Sequence, residues 1–356
     1  MPVAKNLDEI PLHFIVGMGR SGTTLLLQIL NAVPYCLSTP ENHFVMTFYG
    51  KYAQQTDIDP NELIKDVQNY YWAKYKSKEG LNVWDLNFDL FFDEIRHSPR
   101  PITYGYICKK YLLQHHFLGR NNEQVSYIID KDHDYTQWIP ELLQLFPDAK
   151  FIVSVRDYRA VINSHRQSPN QRINISAFTA LLWRNNNRYV RQKSIEMPDR
   201  FLFIKYEDLV VQQAKVIQQL CDFLGMPFCE NMLQSHIPME KWLTQHAQSP
   251  DMTARKAKKW GDLARPIYAD LKEAWRDRLP ADTIALADLI CGKEAAYLGY
   301  KTIYPTANFW QKGYIYAKNA PQLLYAAFAY LIFAKYYYSL PLLVRILLVK
   351  YAGIKK

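Results

Sequence analysis

The residues best equipped for chemistry lie early in the chain, in His13-Phe14-Ile15-Val16-Gly17-Met18-Gly19-Arg20-Ser21-Gly22-Thr23-Thr24. Within it, Gly19 and Gly22 free the backbone, Ser21, Thr23 and Thr24 supply hydroxyls, and Arg20 supplies fixed positive charge. Together they suit a phosphate group, because backbone N–H groups converge on the anion and the dipole of a following helix favours it. Gly17 and Gly22 have the spacing of G-x-x-x-x-G-K-[ST], but Thr23 stands where the lysine would be. That lysine normally reaches the β- and γ-phosphates, so the loop is predicted to hold a phosphate ligand without hydrolysing ATP or GTP. Far downstream, Arg156 offers a bidentate phosphate clamp, and Ser164, eight residues on, offers one more donor.

Residues so far apart need a scaffold. Phe14 to Val16 reads as a strand, and Leu25 to Leu30 has helical apolar spacing. Phe151 to Val155 is a short β-branched run, predicted to be a buried parallel strand. Arg156 and Asp157 stand at its C-terminal end, where ligands bind in open α/β sheets, and a helix is predicted from Tyr158 to about Arg166. Val125 to Ile129 is strand-like, and Phe201 to Leu209 reads as a strand ending in a turn, followed by a helical stretch. The expected class is α/β: a P-loop-type central parallel sheet flanked by helices, with a helical insertion and an amphipathic helical C-terminal tail.

The stretch Gly-x-x-Arg-Ser-Gly-Thr-Thr-Leu-Leu resembles the 5′-phosphosulfate loop of the PAPS-dependent sulfotransferases. It is similar to the arginine-bearing form of carbohydrate, tyrosylprotein and many bacterial members. Arg156 and Ser164 resemble the 3′-phosphate motif of that family. Tyr206-Glu207-Asp208-Leu209 followed by Phe223-Leu224-Gly225 is similar to a further family pattern. Tyr206 thereby becomes either a residue lining the nucleotide or a core tyrosine beside the sheet. The resemblance covers roughly residues 12 to 300. It implies 3′-phosphoadenosine 5′-phosphosulfate (PAPS) as co-substrate, bound by Gly19 to Thr24, Arg156, Ser164 and Tyr206, and it implies no metal.

Such a reaction needs a group to take the acceptor hydroxyl proton and cations to neutralise the departing oxygen. Two bases stay open. Glu41, 21 residues after Arg20, stands where the resemblance places a catalytic glutamate. His133, in Asp130-Lys131-Asp132-His133, resembles the Lys-x-His of the cytosolic branch. Glu41 is preferred because the arginine-type loop sides with it. Lys131 is expected at the sheet edge, bridging donor and acceptor oxygens, with His43 as an orienting or packing neighbour. Arg255-Lys256-Ala257-Lys258-Lys259-Trp260 resembles a loop that closes over the 3′-phosphate, with Ala257 in place of glycine. A solvated cationic loop is the other reading of that run.

The implied activity is sulfuryl transfer to an alcohol, either lipophilic (a sterol or glycolipid) or a carbohydrate. A P-loop kinase or other phosphotransferase is the first alternative, opposed by Thr23 and the Arg156/Ser164 pair. A non-catalytic, membrane-associated nucleotide-binding protein is the second, opposed by Glu41, Lys131 and His133.

Length and composition agree with this. The 356 residues suffice for one elaborated α/β domain over 12–300, with a helical insertion covering the acceptor cleft over about 45–120 and a tail from 301. Helix-like runs stand around Asn61 to Lys76 and Asn87 to Arg96. A net charge of +9 suits a polyanionic cofactor or an anionic membrane, and no nucleic-acid motif accompanies it. Five scattered cysteines without a CxxC, and an N-terminus without an apolar leader, point to a cytoplasmic chain. The Asn174-Ile175-Ser176 sequon does not reverse that expectation. The tail from Pro321 combines apolar residues, tyrosines and cations, including Lys335 and Arg345. Peripheral membrane contact through 321–350 is expected, the alternative being a helical pair packed on the body or on a partner subunit. Oligomeric state is left open.

Overall fold

The computed structural model describes residues 7–75, 87–115, 125–167, 176–246, 261–265, 273–304, 308–329 and 340–351. The basic run 255–260, the sequon at 174–176 up to Ile175, and the tail positions 330–339 lie outside them.

Five parallel strands form the centre: β1 (Leu12–Gly17), β2 (Cys36–Thr39), β3 (Tyr127–Lys131), β4 (Phe151–Val155) and β5 (Phe201–Lys205). Their spatial order is β2-β3-β1-β4-β5, with Ile15 opposite Lys131 and Ile152, and Ser154 opposite Ile204. The chain runs outward from β1 to one edge and later to the other, so the C-terminal end of β1 lies at the reversal of strand order. In open α/β sheets that is where ligands bind.

Strand alternation divides the core. Phe14, Phe151 and Phe201 pair across three strands on one face, with ring centroids 5.8 and 5.1 Å apart. Ile15, Ile129, Ile152 and Ile204 occupy the other face, against α1 (Thr23–Leu30) and, later in the chain, the helix Gln213–Leu224. Each fully buried aliphatic or aromatic side chain contributes about 1.5–3 kcal/mol.

Between β2 and β3 the described residues include α2 (Phe44–Tyr52), α3 (Pro60–Tyr75), α4 (Phe88–Arg96) and α5 (Tyr104–Leu113). Asn87 caps α4 through Leu90 N at 2.9 Å, and Thr103 caps α5. Phe44, Phe91, Tyr104 and Tyr111 are buried between these helices. After β3 come α6 (Ile139–Leu145), α7 (Tyr158–Arg166) and α8 (Ser176–Glu196), then α9 (Tyr206–Val211), α10 (Gln213–Leu224) and α11 (His236–His246). The last described helices are α12 (Trp275–Arg278), α13 (Ala281–Tyr297), α14 (Phe309–Lys318), α15 (Ala320–Ala329) and α16 (Leu342–Tyr351).

α13 packs on α8, fastened by Arg191 to Glu294 through two bonds of 2.8 and 3.2 Å. α15 also packs on α8, while α16 packs on α2 and α3. Sequence reading made Arg345 a cation interrupting an apolar run. In the structure it is buried, its guanidinium donating to the carbonyls of Leu340 and Thr47. Those carbonyls make burial of the charge tolerable. Among the described residues no helix is long and apolar enough to cross a membrane.

Candidate functional site

Every strand delivers a candidate residue at or just beyond its C-terminal end. The loop after β1 carries Gly19 to Gly22, Glu41 follows β2 by two residues, and Lys131 closes β3 with His133 just beyond. Arg156 follows β4, and Tyr206 follows β5. A parallel sheet presents all these ends on one side.

Two glycines shape the loop. Gly17 has φ +123°, and a Cβ there would stand 2.4 Å from the Ser154 carbonyl oxygen. Gly22, at φ +95°, precedes α1, and a Cβ on it would meet Tyr206 Cδ2 at 2.7 Å. Neither position accommodates a side chain without strain. Arg20 itself has φ 72°. Ser154 Oγ donates to the Ser21 carbonyl at 2.7 Å, and Gly17 N donates to Thr136 Oγ1 at 3.1 Å.

The two phosphate motifs meet here. Arg20 Nε donates to Ser164 Oγ at 2.9 Å, and Arg156 Nη1 donates to the Arg20 carbonyl at 3.2 Å. Arg156 lies 4.2 Å from the Tyr206 ring centroid, which places Tyr206 against the loop and half-buried, in place of the core alternative. Two features of this loop fit a phosphorylated ligand. Ser21 Oγ is buried and finds no hydrogen-bond partner among the described residues, a donor an incoming oxygen would satisfy. A Cβ on Gly19 would meet nothing within 4 Å, so the open space there is available to a ligand approaching the backbone. The N–H groups of Thr23 and Thr24, in the first turn of α1, have no acceptor within that helix and lie at its positive end.

A second network hangs on Arg156. Asp157 caps α7 by accepting from Arg159 N at 2.8 Å and from the Arg159 side chain at 2.9 and 2.7 Å. Glu207 accepts from Asp157 N at 3.0 Å and from the Tyr300 hydroxyl at 2.8 Å, joining the ends of β4 and β5. Trp183 Nε1 donates to the Arg156 carbonyl at 2.9 Å. Asp288 receives Tyr158 OH and the backbone of Ile303 and Tyr304. These positioning residues escaped the sequence reading, because nothing in their spacing links residues up to 130 positions apart.

Glu41, Lys131 and His133 form one cluster. Lys131 Nζ pairs with Glu41 Oε1, and His133 Nδ1 lies 3.6 Å from that oxygen. Lys131 is buried, whereas Glu41 is partly and His133 substantially open. Surrounding protein opposes charge on His133, although 45% of its side chain is exposed; Asp134, Glu41 and Asp132 outweigh that and lift its pKa to about 9. At neutral pH His133 is therefore an imidazolium.

Asp130 underlies the cluster. Its buried carboxylate accepts from Thr39 Oγ1 at 2.6 Å, Asn42 Nδ2 at 2.9 Å, Lys131 N at 3.0 Å, and from the Tyr135 hydroxyl. It thus ties the Glu41 segment to the end of β3. His43 adds a second tie, its Nδ1 2.6 Å from Asp132 Oδ2, so the orienting role outweighs mere packing. Among the described residues His43, Asp132 and Asp134 each bring one ligand-type atom within 4.8 Å of the others, a grouping hidden by their spacing.

Burial raises Asp130 from 3.8 to about 6, against the bonds from Thr39, Tyr135 and Asn42. Below the unfolded value both states are protonated and nothing is lost; stability then falls as pH rises through about 6. At neutral pH the ionised, buried carboxylate is a cost to the fold. Asp130→Asn is expected to flatten stability between about pH 4 and 7, read by urea denaturation. It should also lower kcat roughly tenfold through a displaced Glu41, with donor-product affinity unchanged. Unchanged kcat would remove Asp130 from the positioning network.

A parallel sheet with a phosphate loop at the switch point, cationic clamps on neighbouring strands and an acid–base cluster beside them defines a nucleotide-dependent group-transfer enzyme. Residues 11–230 match the sulfotransferase family, and the chain belongs to it. It is similar to protein-tyrosine sulfotransferase 1 of Danio rerio, 24% identical over 279 residues, 77% of this chain and 68% of that one. It is also similar to carbohydrate sulfotransferase 1 of Rattus norvegicus, 32% identical over 102 residues, 29% of this chain and 22% of that one. In fold it resembles the sulfotransferase domain from the curacin biosynthetic pathway, with TM-score 0.52 and 20% identity over 82% of this chain and 98% of that domain. The protein is a PAPS-dependent sulfotransferase, which retires the kinase and non-catalytic alternatives.

Proposed function

We propose that the chain sulfates the hydroxyl of a lipophilic alcohol, a sterol or glycolipid, or of a carbohydrate, with Glu41 as the general base. The observation carrying the transfer chemistry is the Glu41–Lys131–His133 cluster at the ends of β2 and β3, together with the Arg20–Ser164–Arg156 cluster built from the ends of β1 and β4 and from α7. PAPS, when bound, supplies the sulfuryl group, whose bond to the 5′-phosphate oxygen breaks as a bond to the acceptor oxygen forms, leaving adenosine 3′,5′-bisphosphate (PAP).

Gly19 to Thr24 would hold the 5′ end through backbone N–H groups and the Ser21 and Thr hydroxyls. Arg156 and Ser164 would hold the 3′-phosphate, and Tyr206 would flank the nucleotide while steadying Arg156. Glu41 takes the acceptor proton onto Oε1 or Oε2. Lys131, anchored on a buried strand end, stabilises developing negative charge. His133 is already protonated at neutral pH and acts as a cation beside Glu41.

The test is sulfur-labelled PAPS with sterols, glycolipids, sugars, phenols and tyrosyl peptides as acceptors. Transfer to sterol, glycolipid or sugar supports the acceptor class; exclusive transfer to tyrosyl peptide overturns it. In the same preparation Arg156→Ala is expected to weaken PAP binding about 10- to 100-fold by calorimetry. Unchanged PAP affinity would move the 3′-phosphate elsewhere.

A further inference from the structure

The sequence after Glu294 contains no Asp or Glu, yet carries cations from Lys301 to Lys356. The described helices of this region sit on the body by one side only. Ile315, Leu323 and Ala326 pack inward on α14 and α15, and Leu342, Arg345 and Ile346 do so on α16. Their other sides are apolar and open to solvent: Trp310 is 79% exposed, Leu324 73% and Leu343 74%, with Tyr314 and Leu347 also exposed. Burial on the protein therefore does not account for the apolar character of this region.

We infer that the outward sides of α14, α15 and α16 dock on the interfacial zone of an anionic lipid bilayer. Trp and Tyr beside Leu suit the boundary between headgroups and acyl chains, where an aromatic ring keeps one edge wet. No acidic residue follows Glu294 in the sequence; Lys318 pairs with Asp282 and Arg345 is buried, but the exposed Lys312, between Trp310 and Tyr314, presents positive charge that suits a negative lipid surface. The docking is peripheral. Arg345, donating to Thr47 in α2, fixes α16 to the helix that begins directly after Glu41 and His43, so the bilayer-facing helix is joined to the acceptor side of the site.

The inference stands apart from the transfer chemistry, and flotation of the full chain tests it. Vesicles of phosphatidylcholine alone are compared with vesicles containing phosphatidylserine. Binding to the anionic vesicles is expected, weakened by added salt. Lys312→Gln should weaken it about fivefold. The triple variant Trp310→Ser/Leu324→Ser/Leu343→Ser should weaken it more than about 100-fold. All three positions are exposed, and circular dichroism with PAP affinity in the same samples checks that the fold persists. Absence of wild-type binding to either vesicle overturns the inference, as does a triple variant that floats like wild type. A wild-type dimer that the triple variant converts to monomer, without flotation of either, would give this face to a second copy of the chain. Lost PAP binding in wild type would count against the transfer reading alone.

Discussion

Glu41→Gln is expected to lower turnover by roughly 10²–10⁴-fold with PAP affinity unchanged. Glutamine keeps the size of the side chain and one oxygen for Lys131 while removing the basic site. The rival base is separated by its titration. His133, held at about 9 by Asp134, Glu41 and Asp132, yields its proton only at alkaline pH. Were it the base, kcat would climb as pH rises through about 9. With Glu41 as base there is no such climb, and His133→Ala loses roughly tenfold or less, as expected for a supporting charge. A His133→Ala variant as inactive as Glu41→Gln would transfer the role. The linkage runs the same way: the folded pKa of His133 is raised, so its charged form contributes stability fully below its ordinary 6.5 and loses it as pH rises through about 9.

Lys131→Met is expected to lower kcat by roughly 10²–10³-fold, the range for removing one charged stabiliser of a transition state. Methionine preserves much of the buried stem, so a preserved urea midpoint separates lost charge from lost packing. In the proposed reaction Lys131 stabilises the departing group, and in the structure it pairs with Glu41, so Glu41→Gln/Lys131→Met should lose less than the product of the single effects. Strictly multiplicative losses would mean that the two residues act independently.

Four of the five strands were legible as short runs rich in branched or aromatic residues, whereas β2, Cys36–Thr39, is too short and too polar to read as one. Phe151–Val155 in particular reads as a parallel strand from composition alone, and the structure places β4 over those residues. Gly17 and Gly22 were equally legible, since each sits at a backbone angle that other residues resist. The meeting of Arg20 with Ser164 was not, because spacing along the chain carries no distance between loops 144 residues apart. Asp130 was hidden for another reason. A carboxylate inside a strand looks like an ordinary solvated charge until Thr39, Asn42 and Tyr135 are seen around it. The tail misled in one respect: its cations look alike in sequence, whereas Arg345 is buried among carbonyls and Lys312 is exposed.

Every strand end carries part of the candidate site, and that distribution bears on the life of the chain before it is complete. Translation delivers the loop after β1 early, Glu41 soon after, Lys131 and Arg156 much later, and Tyr206 last of all. No contiguous fragment contains Glu41 together with Arg20 and Arg156 without most of the sheet between them. Closing such long-range pairings is the slow part of folding. A nascent copy of this chain thus holds its candidate site residues apart until the strands that carry them have paired.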